Sequence, residues 1–464
     1  MKRTINAAIA LAACIMILGG SAQADVTVPT IFGDNMVLQR DVALPVWGQA
    51  AAGEKVTVSI GADNVSAAAA NASATADKDG FWAVKLPAMK CTPKQTGLTM
   101  IITGKNEISL KNILVGEVWV GSGQSNMEWG LGGSTGGKEA IAKADLPNIR
   151  LYHVPKTQSK TPNKDIKANW KVCSPKTCGR FSGVLFFFGQ RLHNDLKIPI
   201  GLINSSWGGS PIEPWTVTDA STKQGGGMYN AMIAPLQPFA VRGAIWYQGE
   251  TNVLKKNGLT YFDKKKALIE GWRKTWNNDK LSFYTVQIAP WAGRYGPGEL
   301  PKLWEAQVAS LKIPGTGLAV TTDLVDKITD IHPRDKKPVG NRLALWALVK
   351  DYGVQDLVYS GPLYKSMKIE GATIRISFAH AEGGLASRDG KELNEFKIAS
   401  ADGKFVPAKA VIDGQTVVVS ADGVTTPKNV QFGWHKVANP NLINKAKLPA
   451  SPFQTDNWIG GTGE

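Results

Sequence analysis

The chain has 464 residues, 43% of them hydrophobic and 20% charged, with a formal net charge of +15, so it is long enough for two or three packed units and is ordinary globular material. No Lys/Arg block carries the interleaved aromatics of a nucleic-acid-binding protein, and past residue 24 no stretch approaches the roughly 20 apolar residues that cross a bilayer. The five histidines, at 153, 193, 332, 380 and 435, form no ligand pair with Cys or with one another at metal spacing, so neither a catalytic metal nor a cofactor is expected.

In chain order, residues 1–24 read as a secretory signal: Lys2 and Arg3, an apolar run from Ile5 to Leu18, then Ser21-Ala22-Gln23-Ala24 as a small-residue cleavage site. The mature chain then begins at Asp25 with a net charge of +13, a field that favours anionic partners such as an acidic glycan. Leu11-Ala12-Ala13-Cys14 offers a lipoprotein box as an alternative, disfavoured because Ile15 to Leu18 would place greasy residues beside the anchor. From residue 25 to 110, runs at Val42–Val46, Val56–Ile60, Phe81–Leu86 and Leu98–Thr103 alternate with Gly, Asp and Asn turns, the pattern of a small antiparallel β-domain.

Between residues 111 and 355 buried-type strands alternate with helical stretches, which predicts an α/β unit with a mostly parallel sheet. The expected strands are Glu117–Val120, Ile200–Asn204, Gly243–Tyr247, Leu281–Ile288 and Leu318–Thr322. The expected helices are Gly183–Leu196, Tyr261–Trp276 and Leu303–Leu311, with an apolar stripe at Val339, Leu343, Trp346 and Val349 closing the unit. Short strands return from 356 to 464, at Thr373–Phe378, Phe396–Ile398 and Thr416–Ser420, so a second β-domain finishes the chain. Cys173 and Cys178 share a loop whose spacing allows a small disulfide, with Cys91 as the odd cysteine.

In an open parallel sheet ligands bind beyond the carboxyl ends of the strands, and three such positions are chemically loaded. Gly121-Ser122-Gly123-Gln124-Ser125-Asn126-Met127 is a tight turn that presents a serine hydroxyl, although Met127 stands where an α/β-hydrolase elbow has its last glycine. Taken alone, the same turn is equally a strand-to-helix loop capped by Ser125. Trp246-Tyr247-Gln248-Gly249-Glu250-Thr251-Asn252 brings amides and a carboxylate to the same rim, donors suited to an oxyanion. Asp330-Ile331-His332-Pro333 follows the last expected strand and supplies a base with a carboxylate beside it.

These segments, together with Gly201–Glu213, Asn230–Leu236, Phe32–Arg40 and Ser360–Tyr364, resemble the SGNH hydrolases and, within them, the sialate O-acetylesterase family, over nearly the whole mature chain. The resemblance implies a three-layer α/β/α unit flanked by two β-domains, with Ser125 as nucleophile, His332 as base and Asp330 as its orienter. Asp330 stands two residues before His332 where the superfamily has three, so Asp326, Asp323 or a backbone carbonyl are reserves. The oxyanion donors implied are the N–H groups of Ser125 and of Gly208 or Gly209, plus a side-chain amide, Asn252 or in its place Gln248. Gln124, Trp207, Trp246 and Glu250 are the expected substrate contacts, with Trp129 a further ring near the motif; tryptophan serves core packing more often than sugar stacking. The expected function is an exported esterase acting on O-acetylated sialic acids. Acetylated xylan is the alternative substrate, and a non-catalytic carbohydrate-binding protein is the alternative of another class.

Overall fold

The structure is a computed structural model and describes residues 25–62, 70–91, 96–218 and 226–462. The expected signal segment, with Cys14, lies outside these residues. Six short strands come first: β1 (Val37–Gln39), β2 (Leu44–Gln49), β3 (Lys55–Ala62), β4 (Ala70–Thr75), β5 (Phe81–Leu86) and β6 (Leu98–Thr103). Burial alternates along β3 and β5, because one face covers a core and the other meets water.

The central unit contains β7 (Glu107–Gly123), β8 (Leu146–His153), β9 (Trp170–Cys173), β10 (Ile200–Ser206), β11 (Gly243–Tyr247), β12 (Ser282–Val286) and β13 (Thr316–Ala319) in the order β13-β12-β11-β7-β10-β8-β9. All neighbours are parallel except β8 and β9. The boundary expected at 110/111 falls inside β7, a strand of 17 residues. Its first residues pair antiparallel with β6, Leu114–Gly116 pair with β1, and from Glu117 onward it lies between β10 and β11. Exposed and buried residues mix up to Asn112, and every residue from Ile113 is buried, because the strand passes from a one-sided sheet into one covered on both faces.

Glu117 marks that passage. It is fully buried and accepts hydrogen bonds from Arg40 Nε (2.5 Å), Arg242 Nε and Nη2 (2.8 and 3.0 Å) and Gln39 Nε2 (2.9 Å). Burial by itself would raise its pKa, but the bonds from Arg242, Arg40 and Gln39 prevail and hold the carboxyl below its ordinary value.

Among the described residues seven α-helices accompany these strands: α1 (Ser125–Glu128), α2 (Gly137–Ala142), α3 (Gly183–Leu196), α4 (Glu250–Leu254), α5 (Tyr261–Trp276), α6 (Glu299–Ala309) and α7 (Lys336–Lys350). Strand alternation sends Trp119 and Tyr284 to one face of the sheet, against Phe188 of α3 and Trp346 of α7. It sends Trp246 and Phe283 to the other face, against Trp272 of α5. Both faces are thereby covered, giving three layers. The apolar stripe of the closing helix lies on α7, with Val339, Leu343 and Trp346 buried.

The last strand expected, Leu318–Thr322, is instead Thr316–Ala319; Thr321 leaves the ladder and its hydroxyl donates to the Gln287 carbonyl at 2.7 Å. Beyond α7, antiparallel strands including Leu363–Glu370, Thr373–Ala379, Phe396–Ala399 and Thr416–Ser420 build further sheets around a separate core that contains Ile374, Ile376, Ile398 and Phe432. Cys173 and Cys178 are buried free thiols, so the disulfide that their spacing allowed is not formed, and burial raises the pKa of both. Among the described residues no helix is long and apolar enough to cross a membrane, and no group of three or more His, Cys, Asp or Glu side chains is placed to hold a metal ion.

Candidate active site

The chain leaves β7 and adds β10 on one side and β11 on the other, so the crevice beyond the β7 tip is a topological switch point, where open α/β sheets bind ligands. The turn there needs glycine at one position. Gly123 has φ +134°, and a Cβ added to it would lie 2.1 Å from the Tyr247 carbonyl oxygen, so the β7 and β11 tips approach each other only because no side chain intervenes. Ser125 then opens α1. N–H groups of a first helical turn lack intrahelical acceptors, and that of Ser125 has none among the described residues.

Ser125 Oγ lies 2.9 Å from His332 Nε2. Asp330 Oδ1 accepts the His332 backbone N–H at 2.9 Å and stands 3.5 Å from its Nδ1, so the carboxylate braces the loop as much as the ring. Burial lowers the His332 pKa and the charge of Lys336 adds to this, while Asp330 pulls the other way. The imidazole is therefore neutral, as a base must be, to a lower pH than usual. Of the reserve acids, Asp323 is held by Arg342 at 2.6 and 2.7 Å, and Asp326 is exposed. Trp129 packs on the imidazole face, with ring centroids 5.3 Å apart and planes 24° from parallel; it stacks on the histidine.

Around the serine, Gly208 is close enough that an added Cβ would lie 3.4 Å from Ser125 Cβ, but its N–H donates to Glu128 Oε2 at 2.5 Å. Gly209, at φ +75° with open space beside its Cα, has an N–H without an acceptor among the described residues, so it rather than Gly208 is the open donor of this loop. Neither candidate amide is open. Asn252 donates to Glu213 and Asn257 and accepts from Ile212 N–H and Gln248. Gln248 donates to Gln124, Ser210 and Asn252 and accepts from Tyr261. Both are fully buried, and their long-range bonds are invisible in sequence.

The expected substrate contacts divide in the same way. Gln124 uses its carbonyl oxygen to accept from Gln248 and the Thr251 N–H, leaving its NH2 without a partner among the described residues. Trp207 is half-buried beside Gly208. Trp246 is fully buried and bonds Tyr261 at 3.1 Å, so it belongs to the α5 face of the core and not to the crevice. Glu250 is also buried, which corrects its expected role as a substrate contact.

Glu250 belongs instead to a relay behind the serine that sequence reasoning missed. Asn126 donates to Glu250 Oε1 at 2.6 Å and to the Ile331 carbonyl at 3.0 Å, and accepts from Lys336 Nζ at 2.6 Å. One amide thus ties the serine helix to the histidine loop, 205 positions away. Burial pushes the Lys336 ammonium down to about 7 and raises the Glu250 carboxyl, so burial works against both charges that Asn126 joins. The only signal available in sequence was adjacency, Asn126 beside Ser125 and Lys336 four residues after His332.

With this geometry in hand, residues 115–348 match the family model of carbohydrate esterases described as sialic acid-specific acetylesterase. Sialate O-acetylesterase of Pongo abelii is 31% identical over 90% of each chain, and that of Homo sapiens is 31% identical over 72% of this chain and 73% of its own. The crystal structure of a carbohydrate acetylesterase from Xanthomonas citri superposes with a TM-score of 0.86 at 38% identity, covering 94% of this chain and all of its own. The chain belongs to the sialic acid-specific acetylesterase family of carbohydrate esterases, whose members are carboxylic ester hydrolases.

Proposed function

We propose that this protein is an exported serine esterase that removes O-acetyl groups from sialic acids through an acetyl-serine intermediate. The observation that carries the mechanism is the 2.9 Å hydrogen bond between Ser125 Oγ and His332 Nε2 at the switch point. Ser125 Oγ attacks the acetyl carbonyl as His332 takes its proton, and the N–H groups of Ser125 and Gly209 face the developing oxyanion. Collapse expels the sugar oxygen, which receives that proton from His332, and leaves acetyl-Ser125. His332 then deprotonates a water, which attacks the acetyl carbon and releases acetate while Ser125 recovers its proton.

Export rests on Lys2-Arg3, the apolar run and the Ala24 cleavage site. The layered sheet with serine, glycine and histidine loops at one rim supports placement among the SGNH hydrolases. Sialic acid as substrate is supported by the family description and by the basic net charge. The Xanthomonas citri neighbour, a carbohydrate acetylesterase, favours a second reading in which other acetylated glycans such as xylan are cleaved.

The test is acetate release from 9-O-acetylated sialic acid and from acetylated xylan by the mature chain and its Ser125→Ala variant. Release from the sialic acid by wild type alone is the expected result. Release only from xylan moves the substrate to the second reading, and no release from either, or from a small activated acetate ester, sinks the esterase mechanism.

A further inference from the structure

Two strands from the nucleophile, on the same edge of the sheet, lies a cavity of about 650 Å³. β8 ends there at His153, which pairs with Asn204 of β10, and β10 in turn pairs with β7. Two steps of about 4.8 Å put this hollow on the order of 10 Å across the sheet from the Ser125 strand. Its wall carries Lys167, Lys171, Lys176 and Arg180 together with His153 and Phe181, and no carboxylate. The four cations are exposed, and none has an ion-pair partner among the described residues. Four like charges around one hollow repel one another and focus a positive field into it, and that favours an anion there.

The wall is fastened to the segment that bears the nucleophile. Gly132 N–H donates to the Gly179 carbonyl at 2.9 Å and Leu131 N–H to the Phe181 carbonyl at 2.8 Å, so Arg180, between these acceptors, is held against the chain just beyond α1. The Phe181 ring meets His153 edge-on, with centroids 6.4 Å apart. Glu128, the carboxylate on α1, is already matched by Lys156 and by the Gly208 N–H.

We propose that this basic cavity is the subsite for the carboxylate of an acidic sugar whose O-acetyl group reaches Ser125. The inference rests on the esterase reading above and deepens it. A sialic acid carries its carboxylate at one end and its side-chain acetyl ester at the other, which suits two sites set apart along one sheet edge. The neutral chains of acetylated xylan have no group for such a cavity.

The experiment measures calorimetric binding of unacetylated sialic acid and of its neutral methyl ester to the Ser125→Ala protein, with and without Lys171→Ala/Arg180→Ala. Kinetics of the same double variant in the active protein follow, on 9-O-acetylated sialic acid and on 4-nitrophenyl acetate. The acid should bind roughly tenfold tighter than the methyl ester, and the double variant should lose that preference. KM for the acetylated acid should rise roughly tenfold with kcat kept, the neutral ester should be unaffected, and the preference should fade in about 0.5 M salt. Equal binding of acid and methyl ester, an unchanged preference in the double variant, or displacement of the sugar by inorganic phosphate at equal strength overturns the proposal. If no acetyl ester is cleaved, the esterase reading falls while the binding arm still decides the subsite.

Discussion

A polar cluster around Glu117 opens the central segment of β7 and another, around Ser125, lies just beyond its tip, and the two are built on opposite plans. At Glu117 both carboxylate oxygens are engaged, by two arginines and an amide, and the group is fully buried. At Ser125 the bonds stay open: its own N–H and that of Gly209 have no acceptor among the described residues, and Glu250 Oε2 behind them is buried without a partner. A closed cluster joins the N-terminal sheet to the central one. An open one leaves donors free, which the proposed mechanism would use for charge that exists only during reaction, and it must be held in place from behind.

Five substitutions and two pH dependences would sharpen or break this contrast. The largest effect is expected for Ser125→Ala, a loss of acetate release of at least about four powers of ten with an unchanged melting temperature; a parallel fall in stability would mean that the serine is structural. Next, Glu117→Ala should cost about 3–5 kcal/mol in denaturant unfolding, because it leaves two arginine heads facing an empty buried site, while kcat of the folded fraction stays as it was. Since the Glu117 carboxyl is held below its ordinary value, the stability it contributes is present above the usual glutamate range of about 4 and is lost as pH falls through the folded value.

Asn126→Ala should lower kcat by up to about a hundredfold with little change in KM, since it unties the serine helix from the Ile331 carbonyl and lets the pair drift. Asp330→Asn should cost only about tenfold in kcat/KM, far less than the ~10⁴ seen where a buried acid grips the imidazole, because here the carboxylate is 3.5 Å away and partly exposed. A loss near the larger figure would show that the acid closes on the ring once substrate binds. The smallest effect concerns pH. His332 sits below its ordinary 6.5, so kcat/KM should rise through an acid limb whose midpoint lies under that value. Lys336→Met removes a cation that helps to depress His332, and should move the limb upward by less than about one unit; a limb that stays fixed would assign the depression to burial alone.

Much of the architecture was legible because it depends on local period. Gly183–Leu196 and Tyr261–Trp276 are helices to the residue, and Gly243–Tyr247 is a strand to the residue, since each has one unbroken periodicity and clear ends. β8 and β9 were not read, and the continuity of β7 across its two environments was not either: residues 107–112 alternate and residues 113–123 do not, so one strand resembles two.

At the site, Ser125 and His332 could be paired in advance because a serine and a histidine at strand tips of one sheet share a rim whatever packs behind it. The amides could not be assigned this way. Asn252 and Gln248 carry the right chemistry at the right rim, yet their donors are spent on Glu213, Asn257, Gln124 and Ser210. Trp246 is turned to the core by the alternation of a strand covered on both faces.

The sequence by itself determined the layering, the strand-tip chemistry and the serine–histidine partnership, for these follow from periodicity and from which residue types end each strand. Only the tertiary structure decided which donors remain open, that Asn126 holds the two loops together, and that Lys167, Lys171, Lys176 and Arg180 surround one hollow. Those outcomes depend on bonds and charges that meet across long stretches of chain, 210 positions in the case of Lys336 and Asn126, and no local pattern encodes which of many polar groups will find a partner there.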